Sequence, residues 1–417
     1  MSSRSVQLIG GPDRDEAHVT PGNRLMVDMA LGDSPSIDAF DRLRVANPVT
    51  IFDSILSYDK QPIIWWEQID GGATSVHQPL EAAVKMSVST SGDRVIRQTK
   101  EFFRYQPGKS QFILMTWVCD SADPNVRRRV GYFETNNGIF YEEVNGESFI
   151  VLRSGVTGSV VDTRIAQADW NKNTFPELDP SKTQILAIDL QWLGVGRVRV
   201  GFVIDGILTY AHEFLNANVR DVVYMTTGQL PARIELEATG AIAATYNFWG
   251  ICTSVMSEGG IDEGLGFPFA ANTGAPASYS GTRVPLMSIR PKATFNGIIN
   301  RVQTIQREIQ AVNTGNGTAV IEVIHNGILT GPTWLSVSPD SSLEYDVSAT
   351  AITGGHSVLA FYVAASNQSA AAIGAQLRGK YPLSLDIDGL NPINLSAVVT
   401  TYGTCVVGMA GSWQEYR

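Results

Sequence analysis

From about residue 81 onward, apolar and polar positions follow one another in short runs separated by turn residues, and few runs hold a helical period. "AAVKMSVST" and "RVIRQTKEFFRY" flank Gly92-Asp93, which predicts a hairpin. "QFILMTWVCD" is a continuous apolar run, the pattern of a strand buried on both faces. "VRRRVGYFETNNGIFYEEVNGESFIVLRSG" holds three strands divided at Asn137-Gly138 and Asn145-Gly146. Residues 183–214 read as a three-stranded meander that turns at Gly194-Val195-Gly196 and at Asp205-Gly206. "LPARIELEATG" and "ATYNFWGICTSVM" add two more strands, and a sheet this wide must pack on a second sheet or close on itself.

The first 80 residues differ. Pro12, Pro21, Pro35, Pro48 and Pro62 come too close together for long helices, and apolar residues arrive in bursts. The segment reads as an extended docking arm. Its anchors are Phe40, Phe52, Trp65 and Trp66, with Arg42 and Arg44 beside Asp38 and Asp41 to fix register by charge. These aromatics need cover from the following domain or from a neighbouring subunit. Residues 258–282 turn to Gly, Ala, Pro and Ser and read as a linker. Beyond it, 283–417 resumes short strands; "RVQTIQREIQAV" fits both periods, and the flanking Asn-Gly turns favour a strand. The expected fold is all-β, with two jelly-roll-like β-sandwiches: an arm over 1–80, a sandwich over 81–257, a linker over 258–282 and a second sandwich over 283–417.

Composition narrows the function classes. Charged residues make up 17% of the chain, below the roughly 25% usual for soluble domains, so protein partners are expected to cover part of the surface. The net charge of −10 and the lack of a basic stripe exclude a nucleic-acid backbone as partner. Arg127-Arg128-Arg129 reads as a solvated strand start or a salt-bridged interface. Cys119, Cys252 and Cys405 lie far apart in apolar settings and read as buried reduced thiols. No stretch reaches about 18 apolar residues and no apolar signal core opens the chain, which predicts a soluble protein made in a cytoplasm, without membrane insertion.

No motif carries a catalytic chemistry. The five histidines lack metal-ligand spacing, and His212 and Glu213 point to opposite faces of a strand. Glu142 and Glu143, near Glu134 and Glu147, likewise alternate; a depolymerase would need a partner across the sheet, such as Glu101. "LDIDGLNP" brings Asp386, Asp388 and Asn391 around Gly389, read as an Asx turn in preference to a calcium loop. No catalytic, cofactor-binding or metal-binding residue is therefore predicted. Trp65, Trp66, Trp170 and Trp192 are candidates for stacking on sugars, whereas Trp117, Trp249, Trp334 and Trp413 read as core.

Two resemblances follow from particular residues. A strand leading into "GRVRVGFVIDGILTYAHEF" resembles the concanavalin-like, laminin-G-type jelly roll, over roughly 81–257. "DAFDRLRVANPVTIFDSILSYDKQPIIWWEQ" resembles a stretch near the N-termini of bacteriophage virion structural proteins. It matches at Asp38, Ala39, Phe40, Arg42, Leu43, Arg44, Val45 and Pro48, then at Phe52-Asp53-Ser54, then at Trp65 and Trp66. "QILAIDLQWLGVGRVRVGF", "LPARIELEAT" and "VPLMSIRPK" are similar to later pieces of the same proteins. The resemblance implies a non-enzymatic virion component of the tail, baseplate or a fibre, assembling through its arm and sandwich surfaces. Its expected partners are other virion proteins and copies of itself in a homo-oligomer. The alternatives are a capsid decoration or head-fibre protein, and a host-receptor adhesin or depolymerase that recognises a host-surface glycan.

Overall fold

The structure is a computed structural model that describes residues 37–38, 43, 47–260, 264–272, 282–365, 373–376 and 381–417, and the account below concerns those residues. Phe40, Arg42 and Arg44 lie outside them. All the regular structure but one short 3-10 turn is strand.

The N-terminal half holds fifteen strands: β1 (Pro48–Ile55), β2 (Trp65–Asp70), β3 (Thr74–Gln78), β4 (Ala83–Val88), β5 (Arg94–Thr99), β6 (Gln111–Cys119), β7 (Val126–Phe133), β8 (Gly138–Val144), β9 (Glu147–Ser154), β10 (Val161–Ala166), β11 (Gln184–Leu190), β12 (Val198–Ile204), β13 (Ile207–Phe214), β14 (Ala232–Ala238) and β15 (Tyr246–Glu258). They form two antiparallel sheets. One is eight-stranded, in the order β13-β12-β11-β6-β15-β4-β3 with β1 on β15; the other is seven-stranded, in the order β10-β9-β8-β7-β14-β5-β2. One apolar core lies between them. Trp117 stacks on Tyr141 at 4.7 Å, and Phe202 meets Tyr141, Trp170 and Phe175 at 5.8, 5.8 and 5.5 Å.

Turn chemistry explains the hairpins. Asn145-Gly146 (φ 58°, 76°) and Asp205-Gly206 (φ 53°, 76°) place both central residues in the left-handed region, as a two-residue hairpin between twisted strands requires. The meander β11-β12-β13 forms as read. β6 alternates strictly: Ile113, Met115 and Trp117 enter the core, while Phe112, Leu114, Thr116 and Val118 are half-buried on the opposite face. The expectation of a strand buried on both faces is corrected accordingly.

Gly92-Asp93 does not close a hairpin. β4 joins the eight-stranded sheet and β5 the seven-stranded one, so the turn arches over the core. Asp93 makes the arch. Its buried carboxylate accepts from the backbone N–H of Gly72, Ser89 and Thr90 at 2.7, 2.8 and 2.9 Å.

The arm boundary also shifts, because β1, β2 and β3 are paired strands of the sandwich. Phe52 and Trp65 are buried in its core, 6.1 Å apart between ring centroids, and Trp65 Nε1 donates to Ser54 Oγ at 3.0 Å. Adjacent strand residues face opposite ways, so Trp66 leaves that core and packs against the apolar cluster of the C-terminal half. Of the two sources of cover, the following domain and a neighbouring subunit, the chain itself supplies that of Phe52, Trp65 and Trp66. Likewise, part of the expected linker is the strand Leu265–Asn272, paired along Val407–Tyr416.

The C-terminal half packs a six-stranded sheet (Leu335–Ser336, Leu343–Asp346, Val284–Pro291, Leu395–Tyr402, Thr318–His325, His356–Val363) over a four-stranded one (Leu265–Asn272, Val407–Tyr416, Gln303–Asn313, Ile373–Gln376). Ile321, Val399, Met409 and Trp413 belong to its core. "RVQTIQREIQAV" is a strand, and Asn296-Gly297 turns a short hairpin.

Candidate binding site between the two sandwiches

After β5 the chain leaves the sheet and runs as Lys100–Gln106 toward the C-terminal half. Phe103 pins the run: its N–H donates to Leu230 O at 3.0 Å and its ring lies 5.1 Å from Phe52 in the core. Lys100, Glu101, Phe102 and Arg104 line one wall of a cavity of about 180 Å³, and residues 300–306 with Tyr381–Ser384 line the other. A cavity of that volume admits several waters.

The walls meet through cations on rings. The Arg301 guanidinium lies 4.4 Å from the Phe102 ring, Arg104 lies 4.0 Å from Tyr416, and the Lys100 ammonium lies 4.5 Å from Trp66. Trp66 Nε1 donates to Leu385 O at 3.1 Å, and Gln303 Nε2 donates to the Glu101 carboxylate. Burial lowers the Lys100 pKa to about 8, and it lowers His325 to about 4 despite a 3.0 Å hydrogen bond between Nε2 and Pro382 O. His325 is therefore neutral near pH 7 and donates through Nε2. Polar capacity is left unspent at the wall: the buried Gln303 Oε1, Thr304 Oγ1, Gln306 Nε2 and Ser384 Oγ have no hydrogen-bond partner. Such groups cost about 1–3 kcal/mol each unless a ligand or water meets them.

The outer face of the seven-stranded sheet carries the other concentration of charge. Register puts Asp70, Arg94, Glu235, Arg129, Glu142 and Arg164 on that face. Arg94 meets Asp70 at 2.8 Å, Arg129 meets Glu142 at 2.6 Å and Glu235 at 3.8 Å, and Arg164 meets Glu142 at 2.6 Å. Burial pushes the Glu235 carboxyl up, but four guanidinium groups, led by Arg233, carry it below the ordinary range. Phe133, Phe140 and Val151 are buried beneath this layer. The arginine run thus serves a salt-bridged sheet, and Arg128 turns the other way, to Glu143 and Asp120.

The structure separates the other sequence candidates. Glu142 and Glu143 lie on opposite faces, as strand alternation requires. Glu101 lies beyond β5, off any strand, at the cavity. Asp386 closes an Asx turn by accepting from Leu390 N at 2.8 Å, and among the described residues no cluster of His, Cys, Asp or Glu could hold a metal. Trp170 is core, whereas Trp249 and Trp334 are half-buried, the latter under Arg290 at 4.0 Å. Cys252 is half-buried, whereas Cys119 and Cys405 are buried. Lys100, Arg104, Arg301, Gln303 and Gln306 were not singled out from the sequence. No motif joins them, and the walls meet through tertiary contacts, among them Trp66 on Leu385, Arg301 on Phe102 and Arg104 on Tyr416.

No protein-family profile matches the chain, and no curated protein matches it. Solved structures do. It is similar to a chain from work on endo-acting O-glycanases with which members of the human gut microbiota initiate mucin breakdown (10% identity, 50% of this chain and 99% of that one, TM-score 0.36). It is also similar to a legume lectin-like domain from Entamoeba histolytica (8%, 50% and 97%, TM-score 0.31) and to the receptor-binding domain of botulinum neurotoxin D (12%, 64% and 76%, TM-score 0.32). Each of these matches covers half to about two thirds of this chain.

Proposed function

We propose that this chain is a non-enzymatic carbohydrate-binding protein whose ligand sits in the cavity between its two sandwiches. The observation that carries the reading is the wall itself. Gln106, Asn300, Gln303, Thr304, Gln306 and Ser384 bring amide and hydroxyl side chains to the cavity beside Phe102 and Tyr381, and such a mix of polar groups and rings suits a saccharide. Binding is favoured over cleavage because Glu101 is the one carboxylate among the described lining residues, whereas glycoside hydrolysis ordinarily uses two. A glycan array on the purified full chain tests the reading, with Gln303→Ala and Gln306→Ala variants assayed on any hit. A loss of about tenfold or more in either variant supports the cavity as the seat. Equal binding by both variants, or a blank array, contradicts it.

A second reading keeps the particle setting that residues 38–66 resemble, with this chain as a virion subunit that packs on its neighbours. One observation favours it: Phe112, Leu114 and Val118 of β6, with Ile185, Val203 and Met256 of neighbouring strands, form a half-exposed apolar face on the eight-stranded sheet. The two readings are compatible in an adhesin carried on a particle. Deleting residues 1–46 tests the assembly reading: assembly should fail while both sandwiches keep their circular dichroism, and undiminished incorporation into particles counts against it.

A further inference from the structure

Lys100 is 5% exposed, yet its ammonium has no carboxylate and no hydrogen-bond acceptor among the described residues; it rests only on the Trp66 ring. A buried charge of this kind is costly in the unliganded protein and calls for an anion. The surroundings agree in sign. Arg104 and Arg301 line the same cavity, with Glu134 and Asp386 near Arg301, and among the described lining residues the one carboxylate, Glu101, accepts from Gln303. All three cations are braced against aromatic rings, which fixes their positions before a ligand arrives.

We infer that the cavity selects an acidic saccharide, the anionic group of one sugar unit seating against the Lys100 ammonium with Arg104 and Arg301 flanking it. The inference rests on the carbohydrate reading above and names its substrate class. Two sources supply the same chemistry, a sugar carboxylate (a uronic or sialic acid) and a sulfate ester. A planar carboxylate and a tetrahedral sulfate differ in shape, so affinity separates them.

The test is calorimetric titration of the full chain with matched oligosaccharides that end in glucuronate, in glucose 6-sulfate or in neutral glucose. Acidic ligands should bind about tenfold or more tightly than neutral ones, and Lys100→Met should abolish that preference while Lys100→Arg keeps part of it. The tighter of the two acidic series identifies the group. Lys100→Met removes an unpaired buried charge and is expected to stay folded, which circular dichroism checks. If neutral and acidic ligands bind equally, or Lys100→Met leaves the preference intact, the inference falls while the carbohydrate reading stands. If no saccharide binds but acetate or sulfate does in a Lys100-dependent way, the carbohydrate reading falls and the anion seat stands. Binding of neither overturns both.

Discussion

Asp93, 1% exposed, ties the arch between β4 and β5 to the turn between β2 and β3. The backbone N–H of Ser89, with those of Thr90 and Gly72, outweighs burial and holds its carboxyl far below the ordinary 3.8. A depressed carboxyl contributes stability that is fully present above its unfolded value and is lost as pH falls below it. Asp93→Asn should therefore cost about 2 kcal/mol or more at pH 7, and the gap to wild type should narrow below pH 4. Denaturant unfolding at pH 7, 4 and 3 checks this; a constant gap would count against it. Lys100 shifts in the same direction, but there burial disfavours the charged form. Its pKa is lowered from 10.5 to about 8, so the unfolded chain holds more protons between those values and wild-type stability rises with pH across that window. The groups around it are Glu101, Arg104, Arg301, Tyr381 and His325, and His325 is already neutral there. Lys100→Met should melt higher than wild type at pH 7, with the difference closing from pH 8 upward.

At the scale of elements, β2 joins the two halves because consecutive tryptophans on one strand serve different cores. Trp65→Ala should destabilise the N-terminal sandwich by about 3 kcal/mol or more, as a core truncation does. Trp66→Ala should leave that sandwich nearly unchanged and loosen its partner, splitting one calorimetric transition into two. A single transition in Trp66→Ala, shifted as in Trp65→Ala, would contradict this division. The double tryptophan was visible in the sequence, but its two destinations were not, since a strand's alternation says which residues diverge and not what lies on either side. Asn145-Gly146 and Asp205-Gly206 were legible because positive φ at both positions is a local demand. Gly92-Asp93 carried a similar signal and was misread. Whether a turn closes a hairpin or arches between sheets depends on pairings made far away, β4 with β15 and β5 with β14.

For the whole molecule, the all-β character and the two sandwiches could be read from alternation and turn spacing, whereas the arginine run of β7 left a solvated strand start and a salt-bridged interface both open. The cavity could not be read. Its walls come from residues 100–106, 300–306 and 381–384, stretches that share no motif and meet only through tertiary packing. Neither a pair of carboxylates nor an exposed tryptophan marks the cavity; amide, hydroxyl and cationic side chains from distant stretches meet there. Hydrogen–deuterium exchange of the full chain, with and without a saturating saccharide hit, tests the central claim that this seam is the ligand seat. The account predicts slowed exchange in 100–106, 300–306 and 381–384 together. Slowing confined to β7, β8 and β14, beneath the charged outer face of the seven-stranded sheet, would contradict it.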